Sequence, residues 1–347
     1  MQRSRKRAIG DSSRRLHAGP NHRVYFSTTM EHHTKHTLIV GAGALGAMYA
    51  ERLLAAEVPV AFLADGARAE RVRRDGVVVN DRKMHIPVYT PGEYEALPPP
   101  THILVALKHH HLPDALPSIA AVAGEDTIVF SVMNGIDSES QLAAALGESI
   151  DTSRVVYAMA AGMDAVRDGA SVRYTRLGTI WIGERTNDPE QPSPRIRRVV
   201  AFLSRAGIPC TVPPDMEHAL WNKFMLNVGI NQWSAVLGAP YGVFHRQQAA
   251  RSVMRATMQE VVAVAHRAGV ALSQDDVDHW FEVIATLGPD GKTSMLQDVM
   301  AGRKTEVEMF AGQVVELGQR WEVPTPLNSA LLGAIHVIEA EGLRQRD

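Results

Sequence analysis

The feature that most constrains this chain is residues 38–56, LIVGAGALGAMYAERLLAA. A short apolar run leads into glycines at 41, 43 and 46, and a helical pattern follows from Ala44 to Ala56. The first glycine permits a tight turn, the second lets the backbone approach a pyrophosphate, and the third lets helix and strand pack closely. The helix that follows offers its unpaired N–H groups to a phosphate. A glycine triplet alone is a weak signal. Here a strand precedes it, a helix follows, and a second apolar run, PVAFLA at 59–64, arrives at the usual distance. The reading is a dinucleotide site built on Gly41, Ala42, Gly43, Ala44, Leu45 and Gly46.

Asp65 ends the second run, 24 residues beyond Gly41. A carboxylate there accepts hydrogen bonds from ribose hydroxyls and repels a 2′-phosphate, so Asp65 favours NADH over NADPH. Asp-Gly is also a frequent turn pair, and the two roles are compatible. Arg68, three residues on, can reach a 2′-phosphate and keeps NADPH open.

Further runs rich in β-branched residues stand at 76–80, 102–108, 127–135, 155–162 and 179–184, with helical or loop stretches such as 112–123 and 139–146 between several of them. Continuous apolar strands alternating with helices indicate a parallel sheet covered on both faces. After about Pro214 strand signals vanish, and helices are expected at 216–237, 247–268, 274–287, 294–301, 305–319 and 326–342. The fold class is therefore an α/β Rossmann-type N-terminal domain, residues 36–214, followed by an all-α C-terminal domain, residues 215–347, with a cleft between them.

Residues 1–35 hold eight Lys or Arg against Asp11 and Glu31 and few apolar side chains. Such a segment cannot bury a core and reads as a disordered basic leader. It has the composition of an organelle transit peptide, but the simpler reading is that translation begins at Met30. The rest of the chain carries 28 basic and 36 acidic residues, a net −8 that argues against nucleic acid as a partner. No apolar stretch is long enough for a membrane span. The single cysteine, Cys210, excludes an internal disulfide framework and fits the reducing cytoplasm. HHH at 109–111 lacks companion acids or thiols and reads as surface-loop histidines rather than a metal site.

Two stretches in the helical half stand out. In HALWNKFMLNVGINQW, Lys223, Asn227 and Asn231 recur every four residues as a narrow polar stripe on a helix otherwise covered by large apolar side chains. A solvated face is the ordinary explanation. A helix this apolar is instead expected to be buried, with the stripe turned to a ligand in a cleft. In KTSMLQDVMAGRKTEVEMF, Ser294 with Gln297 and Thr305 with Glu308 have the form of capping boxes, with Gly302 between them. One unbroken helix would hold Ser294 and Glu306 about 18 Å apart; a bend at Gly302 could bring both to one cavity.

GAGALG, VALK, VMNG, WNKFMLNVGIN and TSMLQDVMAGRKTEVE, in this order, resemble the ketopantoate reductase family. The resemblance runs from about Thr37 to the last helix. It implies reduction of a 2-keto acid by a nicotinamide cofactor at the interdomain cleft, in pantothenate synthesis, by a cytoplasmic enzyme that can form a homodimer. It implies Lys223 as proton donor, Glu306 closing the site, and Asn227, Asn231 and Ser294 as substrate contacts. It also implies Lys108, Asn134 and Ala165 near the cofactor. Family habit favours NADPH, with an arginine commonly at the place of Asp65. Tyr241 occupies a place that can hold a substrate-contacting asparagine. The alternatives are an NADH-preferring reductase of another 2-keto acid and, more distantly, a non-catalytic nicotinamide sensor, which would need neither Lys223 nor Glu306.

Overall fold

The structure is a computed structural model, and it describes residues 36–150, 154–169 and 171–344. The expectations for the basic leader and for a start at Met30 lie outside the described residues.

Twelve described strands form two sheets: β1 Thr37–Val40, β2 Val60–Leu63, β3 Val77–Val79, β4 Arg82–Met84, β5 Val88–Tyr89, β6 His102–Val105, β7 Ile128–Ser131, β8 Val155–Ala161, β9 Val166–Asp168, β10 Ser171–Arg173, β11 Thr179–Gly183 and β12 Cys210–Thr211. The main sheet has the order β12-β11-β8-β7-β6-β1-β2-β5. Its central strands are apolar on both faces because both are covered. Ile39, Leu104 and Phe130 enter one core, and Leu38, Val40, Ile103, Val105 and Val129 enter the other.

The helices over this sheet are α1 Ala44–Ala55, α2 Gly66–Asp75, α3 Pro91–Tyr94, α4 Leu112–Val122, α5 Ser138–Ala145 and α6 Pro194–Arg205. Chain connections leave β1 toward β2 on one side and continue at β6 on the other. The crevice at the carboxyl ends of β1 and β6 is thus a topological switch point, where ligands of open α/β sheets bind.

Two expectations about the sheet are corrected. It is not wholly parallel: β11 runs antiparallel to β8, from Thr179 opposite Ala161 to Gly183 opposite Tyr157. The run at 76–80 does not join it either, because β3 lies in a separate sheet of order β4-β3-β10-β9. Asn80 and Asp81, both at positive φ, make a two-residue hairpin turn that returns the chain at once through β4.

The helical half comprises α7 Met216–Leu237, α8 Tyr241–Arg246, α9 Gln248–Arg267, α10 Gln274–Ala285, α11 Ser294–Met300, α12 Gln313–Arg320 and α13 Pro326–Arg344, with a π-helical turn at Glu308–Gly312 ahead of α12. Helix α7 is the axis. Asp215 caps its start, accepting from the His218 N–H at 2.8 Å, and Gly238 in the left-handed region ends it. Trp221, Phe224, Met225, Val228 and Ile230 are buried, so nearly the whole circumference of α7 is covered.

Candidate active site at the carboxyl edge of the sheet

The loop after β1 is shaped by two glycines for the protein's own sake. Gly41 has φ +110°, and a Cβ there would lie 2.6 Å from the Ala106 carbonyl oxygen. A Cβ on Gly46 would lie 1.8 Å from the Gly41 oxygen. Gly43 differs: its φ is ordinary, and a Cβ would meet only the Ala106 oxygen, at 3.8 Å. Nothing in the chain itself requires a glycine at 43, whereas a pyrophosphate lying against the start of α1 would. Gly43 is the N-cap of α1, makes no side-chain cap, and no acid occupies the first turn. Those free N–H groups and that clearance fit a dinucleotide phosphate. Ala42, Ala44 and Leu45 pack partly buried against the sheet core and hold the loop down.

Asp65 is exposed at the end of β2, and its Oδ2 accepts a hydrogen bond from Ser118 Oγ at 2.8 Å. Arg68 is exposed on α2. Sequence reasoning missed a second cationic feature. Arg167 of β9 donates to the Ala42 carbonyl at 2.7 Å, and Arg71 shares a small cavity with Arg167 and Ala42. Burial, then the neighbouring Arg71 charge, holds the Arg167 pKa below the usual arginine value. Ala165, two residues earlier, is packed against the sheet core.

The loops after β6 and β7 meet the helical half. Lys108 Nζ lies 2.7 Å from Asp298 Oδ2 and 3.5 Å from Glu306 Oε2. Both carboxylates are buried, and Asp298 is also held by Arg303 Nε at 2.9 Å. Burial works against the Lys108 ammonium, but Glu306 and Asp298 outweigh it and keep its pKa above the usual lysine value. Asn134 stands between the two lysines. Its Nδ2 donates to Glu306 Oε2 at 3.4 Å, and its Oδ1 accepts from Lys223 Nζ at 3.2 Å. Lys223 Nζ also donates to the Ala160 carbonyl of β8 at 2.6 Å. Burial pulls the Lys223 pKa down to about 8 against the opposing pull of Glu306 and Glu139. Lys108, Asn134, Lys223 and Glu306, far apart in sequence, thus form one chain of polar contacts where the strand-end loops meet the helical half.

The rest of the polar stripe follows along α7. Asn231, buried, donates from Nδ2 to Asn227 Oδ1 at 3.4 Å. Ser294 is exposed at the first turn of α11, one helical turn before Asp298 and on the same face. The capping expectation is off by one residue there: Thr293 is the N-cap and accepts from the Leu296 N–H at 3.2 Å. The second box does not form. Thr305 Oγ1 accepts from the Val307 N–H, while Glu308 reaches His336 at 2.7 Å. The break at Gly302 is real, with φ +55°. It lets the chain double back, so that Asp298 and Glu306 both reach Lys108.

The histidines at 109–111 are not a surface loop. They form a short 3₁₀ turn, all partly buried. His109 Nε2 lies 3.1 Å from Asp137 Oδ2, and the His109 N–H contacts Glu306 Oε1 at 3.5 Å. The bond to Asp137 raises the His109 pKa despite burial. Asp298, His109 and Asp137 were missed because nothing in their local sequence reveals a partner 28 to 197 residues away. Among the described residues, no helix is long and apolar enough to cross a membrane, and no group of three or more His, Cys, Asp or Glu could hold a metal ion.

Comparison with known proteins bears on the family and the fold. The family described as "Ketopantoate reductase PanE/ApbA" matches residues 37–187, and its C-terminal part, "Ketopantoate reductase PanE/ApbA C terminal", matches 215–339. A 2-dehydropantoate 2-reductase of Mesorhizobium japonicum is 26% identical over 322 residues, covering 87% of this chain and 97% of that protein. The crystal structure of 2-dehydropantoate 2-reductase from Geobacter metallireducens GS-15 superposes with a TM-score of 0.73 at 26% identity, over 86% of this chain and 99% of the other. A ternary structure of D-mandelate dehydrogenase with NADH and anilino(oxo)acetate shares the fold, with a TM-score of 0.76 at 18% identity, over 88% and 99% of the two chains.

Proposed function

The chain belongs to the ketopantoate reductase family of oxidoreductases, and we propose that it reduces 2-dehydropantoate to pantoate with Lys223 as the proton donor. The observation that carries this reading is the setting of Lys223. Two of the three ammonium protons are committed, to Ala160 O and Asn134 Oδ1, which leaves one for a ligand in the cleft.

Reduced nicotinamide, when bound, supplies the hydride that adds to the keto carbon. Negative charge then develops on the keto oxygen. The free Lys223 N–H polarises that oxygen and delivers its proton as the C–O double bond becomes a hydroxyl. A lysine with a pKa near 8 is charged at neutral pH yet gives up its proton more readily than an ordinary lysine. Glu306, held by Asn134 and the His109 N–H, is an acceptor for the new hydroxyl. The Asn227 and Asn231 amides and the Ser294 hydroxyl are the donors assigned to the substrate's carboxylate and hydroxyl. Lys223→Ala is expected to lower kcat by about 10²–10⁴-fold while cofactor affinity, read by quenching of protein fluorescence, stays near wild type. Undiminished turnover would overturn the assignment.

For the cofactor, Asp65 supports NADH: an exposed carboxylate at the end of β2 can accept the ribose hydroxyls and opposes a 2′-phosphate. NADPH is the second reading, favoured by Arg71 and Arg167 beside Ala42. The ratio of kcat/KM for the two cofactors separates them.

A second substrate reading also has an observation behind it. The Tyr241 ring packs on Gly291, three residues before Ser294, where a Cβ would come 2.9 Å from it. An aromatic ring near Ser294 suits a flat 2-keto acid, and the D-mandelate dehydrogenase neighbour was solved with anilino(oxo)acetate. Turnover of benzoylformate above 2-dehydropantoate would select that reading.

A further inference from the structure

Glu139 has no part in the chemistry above, yet it is a buried acid, 2% exposed, whose charge acts on Lys223. It stands in the first turn of α5, where its Oε2 accepts from Ser138 Oγ at 2.9 Å and its Oε1 accepts from the Ala158 N–H at 3.4 Å. Strand β7 ends at Ser131, and its last pairing with β8 is Phe130 opposite Val156. Beyond Val156, among the described residues, no strand pairs with the edge of β8 that faced β7. Alternate residues of a strand point their backbone groups the same way, so the Ala158 N–H and the Ala160 carbonyl emerge on that one edge. Glu139 takes the first and Lys223 takes the second. Two residues of strand span about 6.6 Å, so carboxylate and ammonium take successive backbone groups along one edge of β8.

We propose that Glu139 is a positioning residue for Lys223, fixing the unpaired edge of β8 on which the ammonium rests and supplying the negative charge that keeps it protonated. The inference rests on the proposed role of Lys223 only where turnover is the readout. Other groups share the space. Glu306 acts on Lys223 from the segment after α11, and Asn134 bonds to it from the loop after β7. Glu139 itself is faced by Ser138, by the Asp137 charge and by Lys223. Burial pushes Glu139 up to about 7, just below the range in which Lys223 would lose its own proton.

The test uses Glu139→Gln, which keeps the shape and the acceptor for Ala158 N–H but removes the charge. Lys223 is acetylated by trace acetic anhydride across pH 6 to 11 without cofactor or substrate, and its peptide is quantified by mass spectrometry. Its reactivity midpoint is expected to fall by about one pH unit in Glu139→Gln and to stay near wild type in Glu139→Asp, which retains the charge. The alkaline limb of kcat should move down with it. Should Glu139→Gln fold poorly, Glu139→Met removes the charge with a side chain suited to burial, and the same shift is expected. An unmoved midpoint in the neutral variants overturns the inference. Turnover surviving in Lys223→Ala overturns the proton-donor role instead and leaves the labelling result to decide on Glu139.

Discussion

Lys223, Glu139 and Lys108 are three charged side chains on which burial acts, prevailing at the first two and outweighed by carboxylates at Lys108. Two of them give stability predictions. The folded-state pKa of Glu139 is raised from 4.5 to about 7, so the folded protein holds a proton there that the unfolded chain releases. Stability of the wild type should therefore fall as pH rises from about 4.5 to 7, by roughly 3 kcal/mol at most for a shift of that size. Glu139→Gln is expected to match wild type in thermal melts at pH 4 and to exceed it at pH 8. A constant difference across that range would contradict the assignment. Lys108 is itself part-exposed, so Lys108→Met should destabilise by about 1–2 kcal/mol. Arg303 still serves Asp298, but Glu306 loses its cation inside the cleft. Urea denaturation reads this, and an unchanged midpoint would argue against a stabilising ion pair between Lys108 and the two carboxylates. At this scale the sequence was legible where residue types recurred locally. The Lys223, Asn227, Asn231 stripe was visible because three polar side chains interrupt an apolar helix at one spacing. Asp298 and Glu139 were not, since each is unremarkable beside its sequence neighbours and acquires meaning from atoms brought in by other elements.

At the scale of elements, the loop after β1 separates what the fold needs from what a ligand needs. Gly46→Ala would drive a Cβ into the Gly41 carbonyl and is expected to lower thermal stability and abolish cofactor binding together. Gly43→Ala has room and should keep folding stability within about 1 kcal/mol of wild type, while weakening cofactor affinity at least tenfold by calorimetry. Equal effects of the two would remove the distinction. Strands and helices were largely legible because continuous apolar runs and four-residue periodicity survive without tertiary information. What misled was orientation and register. Val77–Val79 has the composition of a main-sheet strand, but Asn80 and Asp81 turn it into a hairpin. Nothing in Thr179–Gly183 announces that it pairs antiparallel with β8. The α11 cap slid to Thr293 because threonine and serine adjoin and either can cap.

Across the whole molecule, the sheet contributes the glycine loop after β1 and two strand-end loops, and the helical half contributes Lys223, Asp298 and Glu306. Neither half holds the complete set. The division of the chain into an α/β part and a helical part was visible in the shift of pattern near Pro214, and the ordered motifs were specific enough to name a family. The closing contacts were not visible, because Lys108 meets Asp298 across 190 residues and only the folded chain sets their distance. The central claim is that this cleft reduces 2-dehydropantoate with a nicotinamide cofactor and a proton from Lys223. The measurement that tests it most directly is kcat/KM for 2-dehydropantoate with NADH and with NADPH, on wild type and Lys223→Ala side by side. The account predicts saturable turnover, higher with NADH, that falls by at least about a hundredfold in the variant. Absence of turnover with both cofactors, or equal rates in wild type and variant, would contradict it.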